Sequence, residues 1–201
     1  MGKIFCLLGK SGSGKDTIFK KLMEEKVLNL KPIILYTTRP KREKERNGVE
    51  YYFINKEELD KYKSLGKIIE IREYNTVNGQ WYYSTIDDGQ INIKINSYLI
   101  ITTLEAYKNL QKYFGRDEVF PIYITLDDGI RLERALKREM NEEEPNYNEL
   151  CRRFLADHSD FSMEKLKDAG IEKLYYNYEI DECINDIKKD ILQEAKGQYN
   201  Y

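Results

Sequence analysis

Hydrophobic residues fall along this chain in two alternating rhythms. Short apolar runs of strand length stand at Ile4-Phe5-Cys6-Leu7-Leu8, Ile33-Ile34-Leu35-Tyr36 and Tyr98-Leu99-Ile100-Ile101, then over Val119 to Ile124 and, last, Lys173 to Tyr176. Between them, apolar residues three and four apart mark helix faces. The first carries Ile18, Phe19, Leu22, Met23 and Val27; the next spans Glu105 to Phe114 and is stopped by Gly115. Asp127-Asp128 caps a helix running to about Met140, and Tyr147 to His158 presents Tyr147, Leu150, Cys151, Phe154 and Leu155. Met163 to Ala169 is shorter and ends at Gly170, and Ile180, Ile184, Ile187 and Ile191 mark a closing helix. Strand alternating with helix predicts an α/β chain: a parallel sheet with helices on both faces. Pro121 fits such a sheet only near an edge or a strand end.

The rhythm breaks between about 37 and 85. Pro40 stops regular structure, and the charge run Lys41 to Arg46 reads as a solvated loop. Val49 to Ile54 is rich in aromatic and β-branched residues and predicts a strand. Lys56 to Leu65 is a short amphipathic helix closed by Gly66. Ile68 to Tyr74 and Trp81 to Ser84 read as strands, joined at the turn signal Val77-Asn78-Gly79-Gln80. Residues 37–85 are therefore expected to form a small, mostly β insert in a core made of 1–36 and 86–201. Ile91, Ile93 and Ile95 alternate after the break at Asp88-Gly89.

Composition narrows the classes. At 41% hydrophobic and 34% charged the chain is globular, and its net charge of −2 supplies no basic field for nucleic acid. No apolar run reaches eighteen residues and the chain runs at once into a strand, which points to a cytoplasmic protein without membrane contact. Cys6, Cys151 and Cys183 are too widely spaced for a metal site and read as buried small hydrophobes. His158, the single histidine, reads as an ordinary helix residue.

Chemistry enters at Gly9-Lys10-Ser11-Gly12-Ser13-Gly14-Lys15-Asp16-Thr17, between the first strand and the first helix. Gly9 and Gly14 have the spacing of the phosphate-binding loop G-x-x-x-x-G-K-[ST]. Backbone N–H groups of such a loop can surround a phosphate, and the helix start adds partial positive charge. Lys15 then reaches the outer phosphates as a point charge. Asp16 stands where Ser or Thr usually holds magnesium, and the hydroxyl follows on Thr17. Two readings of Asp16 stand side by side: a carboxylate turned to Mg2+, directly or through water, or a charge welcome at a helix start. Ligands of open α/β sheets bind beyond the carboxyl ends of the strands, which brings Gly9, Thr37, Thr102 and Asn177 to one edge.

Downstream, the chain resembles the guanylate kinase family. Thr37-Thr38-Arg39-Pro40-Lys41-Arg42 through Gly48-Val49-Glu50-Tyr51-Tyr52-Phe53 looks like the family's TTR-x-x-R … G-x-D/E-Y-x-F stretch. Ile69-Glu70 and Tyr82-Tyr83-Ser84-Thr85 resemble its base-binding segments. Arg134, Arg138 and Arg153, with Ala156 and Asp160 behind, look like its lid, and Tyr176-Asn177 precedes the last helix. The order and spacing hold along nearly the whole chain. The resemblance implies a P-loop NTPase-type parallel sheet flanked by helices, a nucleoside-monophosphate-binding insert over 37–85 and a helical lid over about 138–153. It implies transfer of the γ-phosphoryl group of ATP to GMP or dGMP, with Mg2+.

The residue types suit that chemistry, in which positioning and charge stabilisation do most of the work. The resemblance assigns catalysis to Lys15, Arg39, Arg134, Arg138 and Arg153. It assigns ATP to Gly9, Ser11, Gly12, Ser13, Gly14, Lys15, Asp16, Thr17 and Asn177, with Asp16 and Thr17 as metal candidates. Arg39 and Arg42 can fork onto the acceptor phosphate, and Tyr51 can donate to it. Glu70 can accept guanine's ring N–H and amino group side by side, and Ser84 can donate to its carbonyl. Tyr82 and Thr103 complete the monophosphate set. Arg131 shares a helix face with Arg134 and Arg138 but reads as a surface ion pair. Four departures stand out: Ile101-Thr102-Thr103 replaces the family's Asp-x-Asp, Tyr83 replaces a glycine, two extra residues lie between Glu70 and Tyr82, and Leu35 or Tyr36 stands where a serine often touches the base. Partners are expected to be small-molecule nucleotides, with the protein a monomer or homodimer. Two alternatives remain. One is a kinase of another phosphorylated acceptor, since ribose bisphosphate kinases also carry Gly-Lys-Asp in the loop. The other is a non-catalytic binding module, against which the retained Lys15, Arg39, Arg42, Arg138 and Arg153 count.

Overall fold

A computed structural model describes residues 2–43, 45–76 and 79–196. The first strand, β1 (Ile4–Leu8), is buried at all five positions. Its alternation splits the core in two. Ile4, Cys6 and Leu8 face one way and pack with Leu104, Tyr107 and Leu110 of α3 (Leu104–Phe114) and Leu166 of α6 (Met163–Asp168). Phe5 and Leu7 face the other way and meet Ile18 and Leu22 of α1 (Lys15–Glu24) and Ile184, Ile187 and Ile191 of α7 (Ile180–Lys196). Each such side chain contributes about 1.5–3 kcal/mol by burial, which is why β1 lies at the centre of the sheet.

The core sheet is parallel, in the order β2 (Leu30–Pro32), β7 (Ser97–Ile101), β1, β8 (Val119–Thr125), β9 (Leu174–Tyr176). Pro121 stands opposite Cys6 on β8, and β9 joins β8 only from Tyr123 onward. One flank of β8 is therefore open at Pro121, and a residue without an N–H is tolerated there.

A second sheet has the order β4 (Tyr52–Phe53), β3 (Tyr36–Thr37), β6 (Gly79–Ile86), β5 (Ile68–Thr76). β3 runs parallel to β4, and the β3–β6 and β5–β6 pairs are antiparallel. Helix α2 (Lys56–Ser64) starts in a full capping box between Asn55 and Glu58. The turn signal at 77–78 lies outside the described residues.

Several expectations are corrected. The apolar run 33–36 is not one strand. Leu30–Pro32 pairs with β7, and the chain then crosses to the second sheet. On the way, Ile33 N–H donates to Leu99 O, Ile34 N–H to the Gln90 side chain, and Leu35 O accepts from Tyr52 N–H. The run is apolar because it is wedged between two sheets. Of the strand expected over 49–54 only Tyr52–Phe53 forms, because 48–51 turns back on itself through Gly48 N–H to Tyr51 O. Residues 87–96 form no strand; Ile91 and Ile93 pack against the core and Ile95 is exposed. Cys151 is exposed, unlike buried Cys6 and Cys183. It sits on α5 (Tyr147–Asp160), which packs mainly on α4 (Asp128–Glu139) and leaves Leu155 70% exposed. Among the described residues no helix is long and apolar enough to cross a membrane.

Candidate active site

The loop after β1 holds its conformation through its glycines. Gly14 is the N-cap of α1 at φ 94°, in the left-handed region, and a Cβ there would lie 2.3 Å from Asn177 Nδ2. A Cβ on Gly12 would lie 2.7 Å from the Arg131 carbonyl. Asn177, buried at the end of β9, donates from Nδ2 to Ser13 O at 2.8 Å. The Ser13 hydroxyl and Asn177 Oδ1 are buried without a hydrogen-bond partner. Lys15 donates to the carbonyls of Gly9 (2.7 Å) and Lys10 (2.9 Å). Burial lowers its pKa, opposed by the charges of Asp16 and Asp157 and assisted by Arg131 and Arg138. Asp16 and Thr17 are exposed on the first turn of α1.

Arg131 is not a surface ion pair; it is 1% exposed. Its Nη1 donates to Ser11 O at 2.7 Å, and Nε and Nη2 donate to Asp128 at 3.1 and 2.6 Å. Its guanidinium lies 4.8 Å from the Phe154 ring. On the other side of the same loop residue, Ser11 N–H donates to Asp157 Oδ2 at 2.6 Å. The three-residue spacing to Asp128 could have flagged Arg131 as paired, though not as buried. Nothing in the sequence flags Asp157.

The second sheet gathers the other candidates. Arg39 is buried and forks onto Glu45, with the Tyr51 and Phe53 rings 5.1 and 5.4 Å from its guanidinium. That fork, ahead of the Arg42 N–H, holds the Glu45 carboxyl down to about 2. The Arg42 side chain is exposed. Glu70 is buried, and both its oxygens are engaged. Arg72 donates from Nε (3.0 Å) and Nη2 (3.3 Å), and the Thr85 hydroxyl donates at 2.8 Å. Despite a desolvation penalty that acts the other way, Glu70 and the phenols of Tyr74 and Tyr51 raise the Arg72 pKa.

The pairing register separates these residues by face. Glu70 stands opposite Thr85 and Arg72 opposite Tyr83, so these four share one face. Tyr83 meets the rings of Tyr51 and Tyr74 there, at 5.6 and 5.5 Å. Tyr82 and Ser84 point to the other face. Tyr82 lies under Lys56 and Lys63 of α2, and Ser84 pairs with Tyr36. The hydroxyl beside Glu70 is thus Thr85 and the aromatic beside Arg72 is Tyr83; the expected Ser84 and Tyr82 are each one residue out of phase. Thr103 is also otherwise employed: its hydroxyl oxygen accepts the Ala106 N–H as N-cap of α3. The hydroxyl of neighbouring Thr102 is buried without a partner.

On the two-helix arm, Arg134 and Arg138 are exposed along α4. Arg153 of α5 lies 3.9 Å from Glu139 and 3.6 Å from Glu149. Buried Glu139 accepts the Asn146 N–H at 2.6 Å, which ties the 140–146 connection to α4. The structure thus offers a phosphate loop with a lysine, a second sheet presenting arginines and a buried carboxylate, and an arginine-bearing helical arm.

Comparison with known proteins agrees with this architecture. A protein-family model described as "Guanylate kinase" matches residues 1–194. A guanylate kinase of Mycoplasmopsis pulmonis is 31% identical, over 96% of both chains. The human guanylate kinase is 27% identical, over 94% of this chain and 92% of its own. The crystal structure of guanylate kinase from Anaplasma phagocytophilum superposes with a TM-score of 0.68 at 22% identity, over 96% of this chain and 86% of that one.

Proposed function

The chain belongs to the guanylate kinase family, and from that premise we propose that it transfers the γ-phosphoryl group of ATP to GMP or dGMP, giving ADP and the diphosphate. The observation that carries this reading is the single face of the second sheet that gathers Arg39, Tyr51, Glu70 and Thr85, with the lysine-bearing phosphate loop supplying the donor site. An acceptor phosphate oxygen attacks the γ-phosphorus as the bond to the β-phosphate oxygen breaks. No side-chain base or covalent intermediate is needed.

Lys15 leaves the carbonyls of Gly9 and Lys10 to neutralise the migrating charge. Arg39, Arg42 and Tyr51 hold the acceptor phosphate, and Arg134, Arg138 and Arg153 close over the transferred group. Glu70 reads the base. Three of its roughly four acceptor positions are taken in this structure, so a guanine presenting two donors displaces a bond from Arg72. Thr85, sharing the face, is the hydroxyl that accompanies Glu70.

Magnesium fits as an ion brought with the triphosphate. Among the described residues no three of His, Cys, Asp and Glu gather as a metal group, and Mg2+ needs only one or two protein oxygens besides phosphate. The exposed Asp16 carboxylate and Thr17 hydroxyl are the residues that would hold it, and it would neutralise phosphate charge. We also infer that 37–85 is the monophosphate-binding insert and about 138–153 the lid.

A coupled ADP-release assay with GMP, dGMP, AMP, IMP and ribose phosphates tests the proposal. Turnover is expected with GMP and dGMP and at least a hundredfold less with AMP, in line with the roughly 10⁴-fold rejection that polar pairing can give. Turnover confined to a ribose phosphate, or none at all, would overturn it.

A further inference from the structure

Ser11, in the middle of the phosphate loop, has both backbone polar groups held by side chains of the two-helix arm. α4 sends Arg131 to its carbonyl at 2.7 Å, and α5 sends Asp157 to its N–H at 2.6 Å. The two side chains also face each other, Arg131 Nη1 lying 3.8 Å from Asp157 Oδ2. Arg131 is fully buried and stacked near Phe154, one turn before Asp157 on α5. Lys10, the residue before Ser11, reaches Asp128 at 3.5 Å. Elsewhere α5 packs on α4 and leaves most of its surface open. Among the described residues, the Asp157 carboxylate on Ser11 N–H is the hydrogen bond that ties this helix directly to the loop.

Arg153 and Asp157 are four residues apart on α5, so they project from one face. Fixing Asp157 therefore fixes the stretch of helix from which Arg153 projects, while the Arg153 guanidinium itself lies near Glu139 and Glu149. We propose that Asp157 is a positioning residue: by gripping the Ser11 N–H it sets α5, and with it Arg153, in register with the phosphate loop. This rests on the phosphotransfer reading above and adds a residue to it. In this role Asp157 acts through Ser11 and Arg153, not on the substrate or the reacting phosphorus.

The consequence is energetic coupling between Asp157 and Arg153, which a double-mutant cycle measures. Asp157→Ala is expected to lower kcat about tenfold with KM for GMP unchanged, and to cost little in an Arg153→Ala background. Asp157→Asn keeps an acceptor oxygen and is expected to recover most of the loss. Equal losses in both backgrounds, unaltered activity of Asp157→Ala, or Asp157→Asn no better than alanine would overturn the inference.

A second readout is independent of turnover. Hydrogen exchange at the loop amides of the intact chain should show Ser11 protected in the wild type and in Arg153→Ala, and exposed in Asp157→Ala. A wild type with no turnover on GMP sinks the functional reading, while Ser11 protection still reports the bond. Protection that disappears when ATP is added would mean that phosphate displaces the carboxylate, and would also overturn the proposal.

Discussion

Two largely buried ion pairs stand at the second sheet. The first joins Arg39 to Glu45. The carboxyl of Glu45 falls from its ordinary 4.5 to about 2 because Arg39 forks onto it, with further help from the Arg42 N–H. A folded value below the unfolded one means the pair's stabilisation is full above about pH 4.5 and is lost as pH falls toward 2. Glu45→Gln should therefore be less stable at pH 7 and should flatten the decline in stability across that window. Urea unfolding at several pH values measures this, and an unchanged slope would refute the assignment. The second pair joins Arg72 to Glu70 inside the second sheet. Arg72→Met leaves a buried carboxylate with only Thr85 for company, which should cost about 3–5 kcal/mol. Glu70→Leu/Arg72→Met removes both charges and should regain most of that stability while losing GMP selectivity. If the single variant were as stable as the wild type by denaturant titration, Glu70 would not depend on Arg72.

At the scale of elements, the arm made of α4 and α5 is held at few points. One is Ser11. Another is Glu139, whose carboxylate takes the Asn146 N–H at the start of α5, while Asn146 itself caps that helix through Glu149 N–H. Glu139→Ala should loosen the 140–146 connection, which contains Glu142, Glu143 and Glu144. A glutamate-specific protease should then cut there about threefold faster or more, since cleavage follows local opening. An unaltered rate would show that Glu139 does not anchor the connection. The elements themselves were largely legible. Helical periodicity located α3 and α6 to within a residue, because each has an apolar face bounded by Gly or a capping residue; for α7 it marked the apolar stripe Ile180 to Ile191 but not the end at Lys196. The run at 33–36 misled because burial between two sheets produces the same apolar stretch as a strand.

For the whole molecule, the two faces of the core sheet decide which groups solvent can reach. Cys6 and Cys183 lie in opposite halves of the core, and burial raises both thiols, Cys183 to about 11. Cys151 is exposed on α5. Thiol titration of the native protein should therefore count one reactive cysteine, and titration in denaturant three. A second thiol reacting at the native rate would contradict the described packing.

The sequence by itself determined the phosphate loop, the alternation that makes a parallel sheet, and the arginines proposed to meet phosphate. These are local signals: glycines at fixed spacing, apolar period, a charged side chain near a strand end. Only the tertiary structure decided which residues face one another. The register of β5 on β6 put Thr85 and Tyr83, not Ser84 and Tyr82, beside Glu70 and Arg72, because a shift of one residue reverses every side chain in a strand. Likewise the distance from Ser11 to Asp157 spans 146 positions of chain. No period or motif carries across such a gap. The contact exists only because β1 and the α4–α5 arm meet at the same edge of the sheet.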